Sequence, residues 1–116
     1  MKYYVVASTS ELNDIEQMRI ELNGEEILLC RDGEKYFAIS YYCSHQILPL
    51  EGGSINDRCI TCPYHGAEFS IETGEAMTPP AWEDIKVYPI SIKKDMISIG
   101  ITDTDRSYQT ALLQLQ

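Results

Sequence analysis

Basic residues are scarce in this chain of 116: nine Lys and Arg stand against 18 Asp and Glu, for a formal net charge of −9. That balance excludes a nucleic-acid binder and a binder of anionic membranes, since both need clustered Lys and Arg. A basic protein partner fits it better. No apolar run approaches the ~20 residues that a membrane span needs. Linkers, low-complexity tracts and internal repeats are also missing, so one small domain is expected, as a monomer. Met1 to Val6 reads as a strand with no signal-peptide core behind it. The expected compartment is therefore the reducing cytoplasm, where the four cysteines would be thiols or metal ligands and not disulfides.

What is present is an ordinary globular composition, 44% hydrophobic and 23% charged. Turn signals recur at roughly eight- to twelve-residue intervals, the rhythm of an all-β sandwich or barrel. Met18, Ile20 and Leu22 alternate with polar residues up to Asn23-Gly24, which suits a type I′ hairpin. Ile27 to Arg31 forms the returning strand, and Asp32-Gly33 signals a second hairpin leading to Tyr36–Ile39. Further strands are expected at Gly53–Asn56 and Arg58–Thr61, joined at Asn56-Asp57, and at Glu68–Ile71, with another after Thr73-Gly74. Lys86–Ile92 and Met96–Ile101 close the domain, and Ser10–Asn13 allows one helical turn.

The pattern changes after Ile101. Tyr108, Ala111, Leu112 and Leu115 fall at i, i+3, i+4 and i+7, so residues 102–116 are expected to hold a short helix capped by Thr104 or Asp105. A helix this short is marginal in isolation, and it must dock or fray.

Two segments carry chemistry: Cys43-Ser44-His45 and Cys62-Pro63-Tyr64-His65, which hold both histidines of the chain. Each offers one soft thiolate and one imidazole in a loop. Such a pair of loops suits a two-iron cluster with unlike ends, thiolates on one iron and neutral imidazoles on the other. Tetrahedral zinc accepts the same ligands, but its usual spacing pairs Cys with Cys and His with His. A Cys–His nucleophilic pair would need an oxyanion turn and an orienting Asp or Asn, and neither is evident.

At this point the sequence resembles the Rieske [2Fe–2S] family. Cys43-Ser44-His45-Gln46, Glu51-Gly52-Gly53 and Cys62-Pro63-Tyr64-His65-Gly66 stand in that family's order, followed by Phe69, Thr73-Gly74 and Pro79-Pro80. The likeness runs over roughly residues 3 to 101. It implies one [2Fe–2S] cluster per chain, with Cys43 and Cys62 on the inner iron and His45 and His65 on the outer one. It also implies an antiparallel β sandwich or barrel over 1–101, with a small cluster-binding subdomain at about 41–82 and an extension at 102–116. Cys30, after Ile27-Leu28-Leu29, reads as a core residue, and Cys59 as packing and not half of a Cys-x-x-Cys motif. Tyr64 is expected to shield the second loop.

The expected role is that of a ferredoxin, an electron-transport component and not itself an enzyme, since no substrate pocket, nucleotide motif or mononuclear iron site is evident. The resemblance implies a flavin-dependent ferredoxin reductase as electron donor. It implies a terminal oxygenase, a ring-hydroxylating dioxygenase or a di-iron monooxygenase, as acceptor. Alternatives are the small Rieske subunit of an assimilatory nitrite reductase and, from another class, a structural-zinc binding module without a redox role. Between Cys43 and Asp84 stand Glu51, Asp57, Glu68, Glu72, Glu75, Glu83 and Asp84 against the single base Arg58, a charge pattern that could steer a basic partner.

The resemblance also predicts a potential. High-potential members, in cytochrome bc complexes, carry an additional Cys in each loop where this chain has Leu48 and Tyr64. They also place Ser and Tyr hydroxyls where it has Ala67 and Phe69. Each hydroxyl would donate to sulfur and stabilise the more negative reduced cluster. Without them the potential should lie in the lower part of a range of roughly −150 to +300 mV. Voltammetry should find Ala67→Ser and Phe69→Tyr each shifted upward from the parent chain.

Overall fold

The computed structural model describes residues 1–44, 47–78 and 83–101. Ten strands and a single 3-10 turn make up its regular structure: β1 Lys2–Ser8, β2 Gln17–Leu22, β3 Glu25–Asp32, β4 Lys35–Ser40, β5 Ile55–Asn56, β6 Cys59–Thr61, β7 Glu68–Ser70, β8 Val87–Tyr88, β9 Ile90–Lys93 and β10 Met96–Ile101. They form three antiparallel sheets, ordered β1-β10-β9, β2-β3-β4-β8 and β5-β6-β7. The all-β expectation holds. The 3-10 turn at Thr9–Leu12 is the predicted helical turn, closed by Glu11 accepting from the Ser8 N–H at 2.6 Å.

Strand β3 explains the layering. Ile27, Leu28, Leu29 and Cys30 are four consecutive residues with no exposed surface. A strand sends alternate side chains to opposite faces, so a continuous apolar run marks burial on both. Ile27 packs with Ala38, Tyr88 and Ile99, and Leu29 with Ala7, Leu12 and Ile97, which glues this sheet to β1-β10-β9. Leu28 and Cys30 face the other way, into a cluster with Ile39, Leu50, Ile60, Phe69, Ile71 and Ile85. The β2-β3-β4-β8 sheet is thus the middle layer of three. Burying each Leu or Ile is worth roughly 1.5–3 kcal/mol relative to exposure.

Turn chemistry sets the registers, with four departures from the sequence reading. Asn23-Gly24 is the expected type I′ loop, with φ of 52° and 81°. The second hairpin turns at Gly33-Glu34, one residue late. Asp32 pairs with Lys35, and only Gly33 has positive φ, which makes the turn type II′. The third turns at Asp57-Arg58, both left-handed at 51° and 64°, so Arg58 leaves the strand in which it was expected. Lys86–Ile92 is not one strand. Pro89 has no N–H to donate, and the chain changes sheet there, β8 pairing with β4 and β9 with β10. After Thr73-Gly74 a single bridge, Phe69 to Ala76, replaces the expected strand. The predicted helix within 102–116 lies outside the described residues.

Gly53 marks the tightest approach near the two cysteine segments: a Cβ there would lie 2.1 Å from the Thr61 carbonyl oxygen. Gly53→Ala should cost about 3 kcal/mol, seen as a thermal midpoint lower by more than about 10 °C. Gly52, with φ of 92° and open space around its Cβ position, bears only the left-handed penalty. Gly52→Ala should therefore cost about 1 kcal/mol, and the order of the two midpoints checks the packing.

Candidate metal centre

Two loops of the same build carry the cysteine segments. In the first, the Cys43 N–H donates to the Leu48 carbonyl at 2.9 Å, and in the second the Cys62 N–H donates to the Ala67 carbonyl at 2.7 Å. Each Cys thus closes a loop on the residue five further on. The flanks match too: Tyr42 bridges Pro49 as Thr61 pairs with Glu68. One step outward, the Leu50 N–H donates to the Tyr41 carbonyl at 2.8 Å, while Ile60 pairs with Phe69. In the second loop Gly66, at φ of 73°, turns its N–H back to the Cys62 carbonyl at 3.0 Å.

These frames are tied to the middle sheet and to each other. The Gln17 carboxamide of β2 grips the turn between the loops, accepting from the Gly52 N–H at 2.7 Å and donating to the Gly53 carbonyl at 2.6 Å. The Ser44 hydroxyl donates to the Glu83 carbonyl, and the Ile85 N–H to the Gly74 carbonyl at 2.8 Å. Beside the second loop, Glu68 donates its N–H to the Thr78 hydroxyl at 2.9 Å and accepts from the Met77 N–H at 2.8 Å. Below, Arg58 donates to the Asp32 carbonyl at 2.8 Å, pairs with its carboxylate at 3.1 Å and lies 5.3 Å from the Phe37 ring centre. Those contacts hold a non-glycine residue in a left-handed conformation and clamp the β5-β6 hairpin to the β3-β4 hairpin.

Of the four candidate ligands, Cys43 and Cys62 are buried and share one apolar cluster, and His65 sits half-buried on the second loop. His45 lies outside the described residues. Cys30 is a core thiol, its pKa pushed up to about 12 by burial. Cys59 faces away from Cys62, as odd spacing on a strand requires, and is partly exposed. Tyr64 is exposed, with its side chain turned to solvent. Gln17, Asp32 and Arg58 were not singled out by sequence as site supports. The signal for Arg58 was its place as the lone base of an acidic stretch, whereas Gln17 carried none. Among the seven acidic residues, Glu51 accepts from the Tyr41 hydroxyl at 2.6 Å and keeps that phenol protonated to about 12. Glu72 approaches Arg58 at 3.6 Å, and Asp84 accepts the Ala76 N–H at 2.9 Å.

The Rieske [2Fe–2S] domain family matches residues 2–89. The ferredoxin subunit of 3-phenylpropionate/cinnamic acid dioxygenase from Photorhabdus laumondii is 32% identical over 104 residues, covering 89% of this chain and 98% of that protein. Apoptosis-inducing factor 3 of Mus musculus is 32% identical over 98 residues, 82% of this chain but 16% of that longer protein. The ferredoxin of carbazole 1,9a-dioxygenase from Nocardioides aromaticivorans superposes with a TM-score of 0.82 at 25% identity, covering 88% of this chain and all of that one. The chain belongs to the Rieske [2Fe–2S] domain family. The expected cofactor is thereby the right one, a [2Fe–2S] cluster. The described residues fit it: two buried thiols on segments closed by matching backbone hydrogen bonds, with an imidazole on the second. No helix among the described residues is long and apolar enough to cross a membrane.

The thiols differ in a way that can be titrated. Burial first, then Glu68 and Asp57, raise the Cys59 thiol above its ordinary value near 9. Only the thiolate alkylates, so at pH 8 Cys59 should react with iodoacetamide more slowly than free cysteine. The rate should still be climbing past pH 9, as mass spectrometry of the labelled chain would read.

Proposed function

We propose that this chain is a one-electron carrier that accepts electrons from a flavin-dependent ferredoxin reductase and delivers them to a terminal oxygenase. The centre would be held by Cys43 and Cys62 on one iron and by His45 and His65 on the other. The observation that carries the reading is the pair of loops, each closed by its Cys N–H on the carbonyl five residues on. A single chain that places two thiols in matching frames supports a shared two-metal ligand better than two separate sites. When bound, such a cluster supplies a one-electron couple, and the chain's part is to hold it in a dry frame at one end of the molecule.

The surroundings support transfer between proteins. Ile47 of the first loop is 84% exposed, and Tyr64 of the second and Met77 beside it are also exposed. Apolar side chains at the lip of a redox site suit a transient partner contact, and the carboxylates of Glu75 and Glu83 on neighbouring turns would add steering toward a basic face. Relatives named as ferredoxin components of dioxygenase systems favour the same role, a component and not a catalytic subunit. Residence in the cytoplasm, a domain over 1–101 with a cluster-binding part at about 41–82, and a separate 102–116 extension belong to this proposal.

Purified protein should contain two irons and two acid-labile sulfides per chain. Cys43→Ser and Cys62→Ser should each abolish the visible absorbance, while Cys59→Ser should leave it in place. Stoichiometric zinc without sulfide would overturn the reading.

A further inference from the structure

Strand β2 sends Met18 and Ile20 into the core between two sheets, so Gln17 and Arg19 take its other face. That face looks toward the base of the first cysteine loop. The Arg19 guanidinium lies 5.4 Å from the Tyr41 ring centre, and the Tyr41 hydroxyl donates to the Glu51 carboxylate at 2.6 Å. Gln17 takes the next two residues, accepting from the Gly52 N–H at 2.7 Å and donating to the Gly53 carbonyl at 2.6 Å. Its own backbone is fixed from both sides. Gln17 pairs with Cys30, and the Arg31 N–H donates to the Glu16 carbonyl at 2.8 Å.

The turn held by Gln17 belongs to both cysteine loops. On one side the Gly53 N–H donates to the Leu50 carbonyl at 3.0 Å, and the Leu50 N–H donates at 2.8 Å to Tyr41, two residues before Cys43. On the other, a Cβ on Gly53 would lie 2.1 Å from the Thr61 carbonyl oxygen, and the Thr61 N–H donates to the Ser54 carbonyl at 2.9 Å. Thr61 directly precedes Cys62. A movement of Gly52-Gly53 would therefore be passed to both thiols. Water could serve the exposed Gly52 N–H, so satisfying that donor does not require Gln17. What the carboxamide adds over water is position. One planar group with an acceptor and a donor side by side fixes the turn in both place and rotation.

We propose that Gln17 is a positioning residue for the metal centre: through the backbone of Gly52 and Gly53, its carboxamide sets how the two cysteine loops stand relative to each other. The inference rests on the electron-carrier reading and deepens it. The test uses the full chain loaded with its cluster. Gln17→Met keeps the length of the side chain and removes both bonds, whereas Gln17→Glu keeps the acceptor for the Gly52 N–H and loses the donor. With the loops less narrowly placed, the reduced cluster of Gln17→Met should give broadened electron paramagnetic resonance lines. Its iron should pass to a chelator about five- to tenfold faster than in the parent, the factor that one net hydrogen bond carries. Gln17→Glu should fall between Gln17→Met and the parent on both counts, and it carries the same test should Gln17→Met fail to fold. A role in stability alone would lower the thermal midpoint and leave the line shape unmoved. That result, or release at the parental rate, overturns the proposal while the electron-carrier reading stands. A parent chain that holds zinc and no sulfide would overturn that reading and this inference with it.

Discussion

The structure depends on one strand that has no solvent face. Ile27, Leu28, Leu29 and Cys30 are buried on both sides of β3, so every other element is placed by the face it covers. One face requires a sheet, β1-β10-β9, to shield Ile27 and Leu29. The other requires the β5-β6-β7 hairpins to shield Leu28 and Cys30. The cysteine loops are the far ends of that second cover, and their thiols fall in the same apolar cluster as the strand beneath them. Packing that stabilises the domain and packing that buries Cys43 and Cys62 are therefore one cluster of side chains.

Backbone geometry then gives the loops their sameness. A hydrogen bond from each Cys to a carbonyl five residues on fixes both loops without reference to the identity of the residues between. That is how two segments of different sequence can be closed in the same way at their ends. What differs is the support. The first loop is fastened by the Ser44 hydroxyl to Glu83, the second by Thr78 to Glu68, and Gln17 holds the turn between them. The middle sheet supplies Gln17 and Asp32, residues far away in sequence that act on the site through backbone groups.

Much of this was legible. Alternation and Asn-Gly chemistry placed β2, β3 and their turn, and the mixed Cys–His segments led to the [2Fe–2S] cluster that the family carries. The misses have physical causes. Asp57-Arg58 turns left-handed without glycine, one residue later than expected; Arg58 is held there by Asp32 and Phe37, contacts made only by the fold. The sheet change at Pro89 was hidden because Lys86–Ile92 has strand composition throughout, and only the missing N–H betrays it. Gln17 is one polar residue on a strand, and its role arises from a turn 35 residues later.

The pairing of β1 with β10 sets Lys2 opposite Ile101, so the first and last strands of the described domain lie side by side. In an antiparallel pair such partners have Cα atoms roughly 5 Å apart. Topologically the domain is almost a ring. A short bridge between those two strands, with a new opening at an exposed turn such as Lys94-Asp95, would give a circular permutant that keeps every sheet pairing. The same adjacency lets a longer polypeptide enter and leave the domain at one point, as a guest inserted in a host, with the cysteine loops untouched.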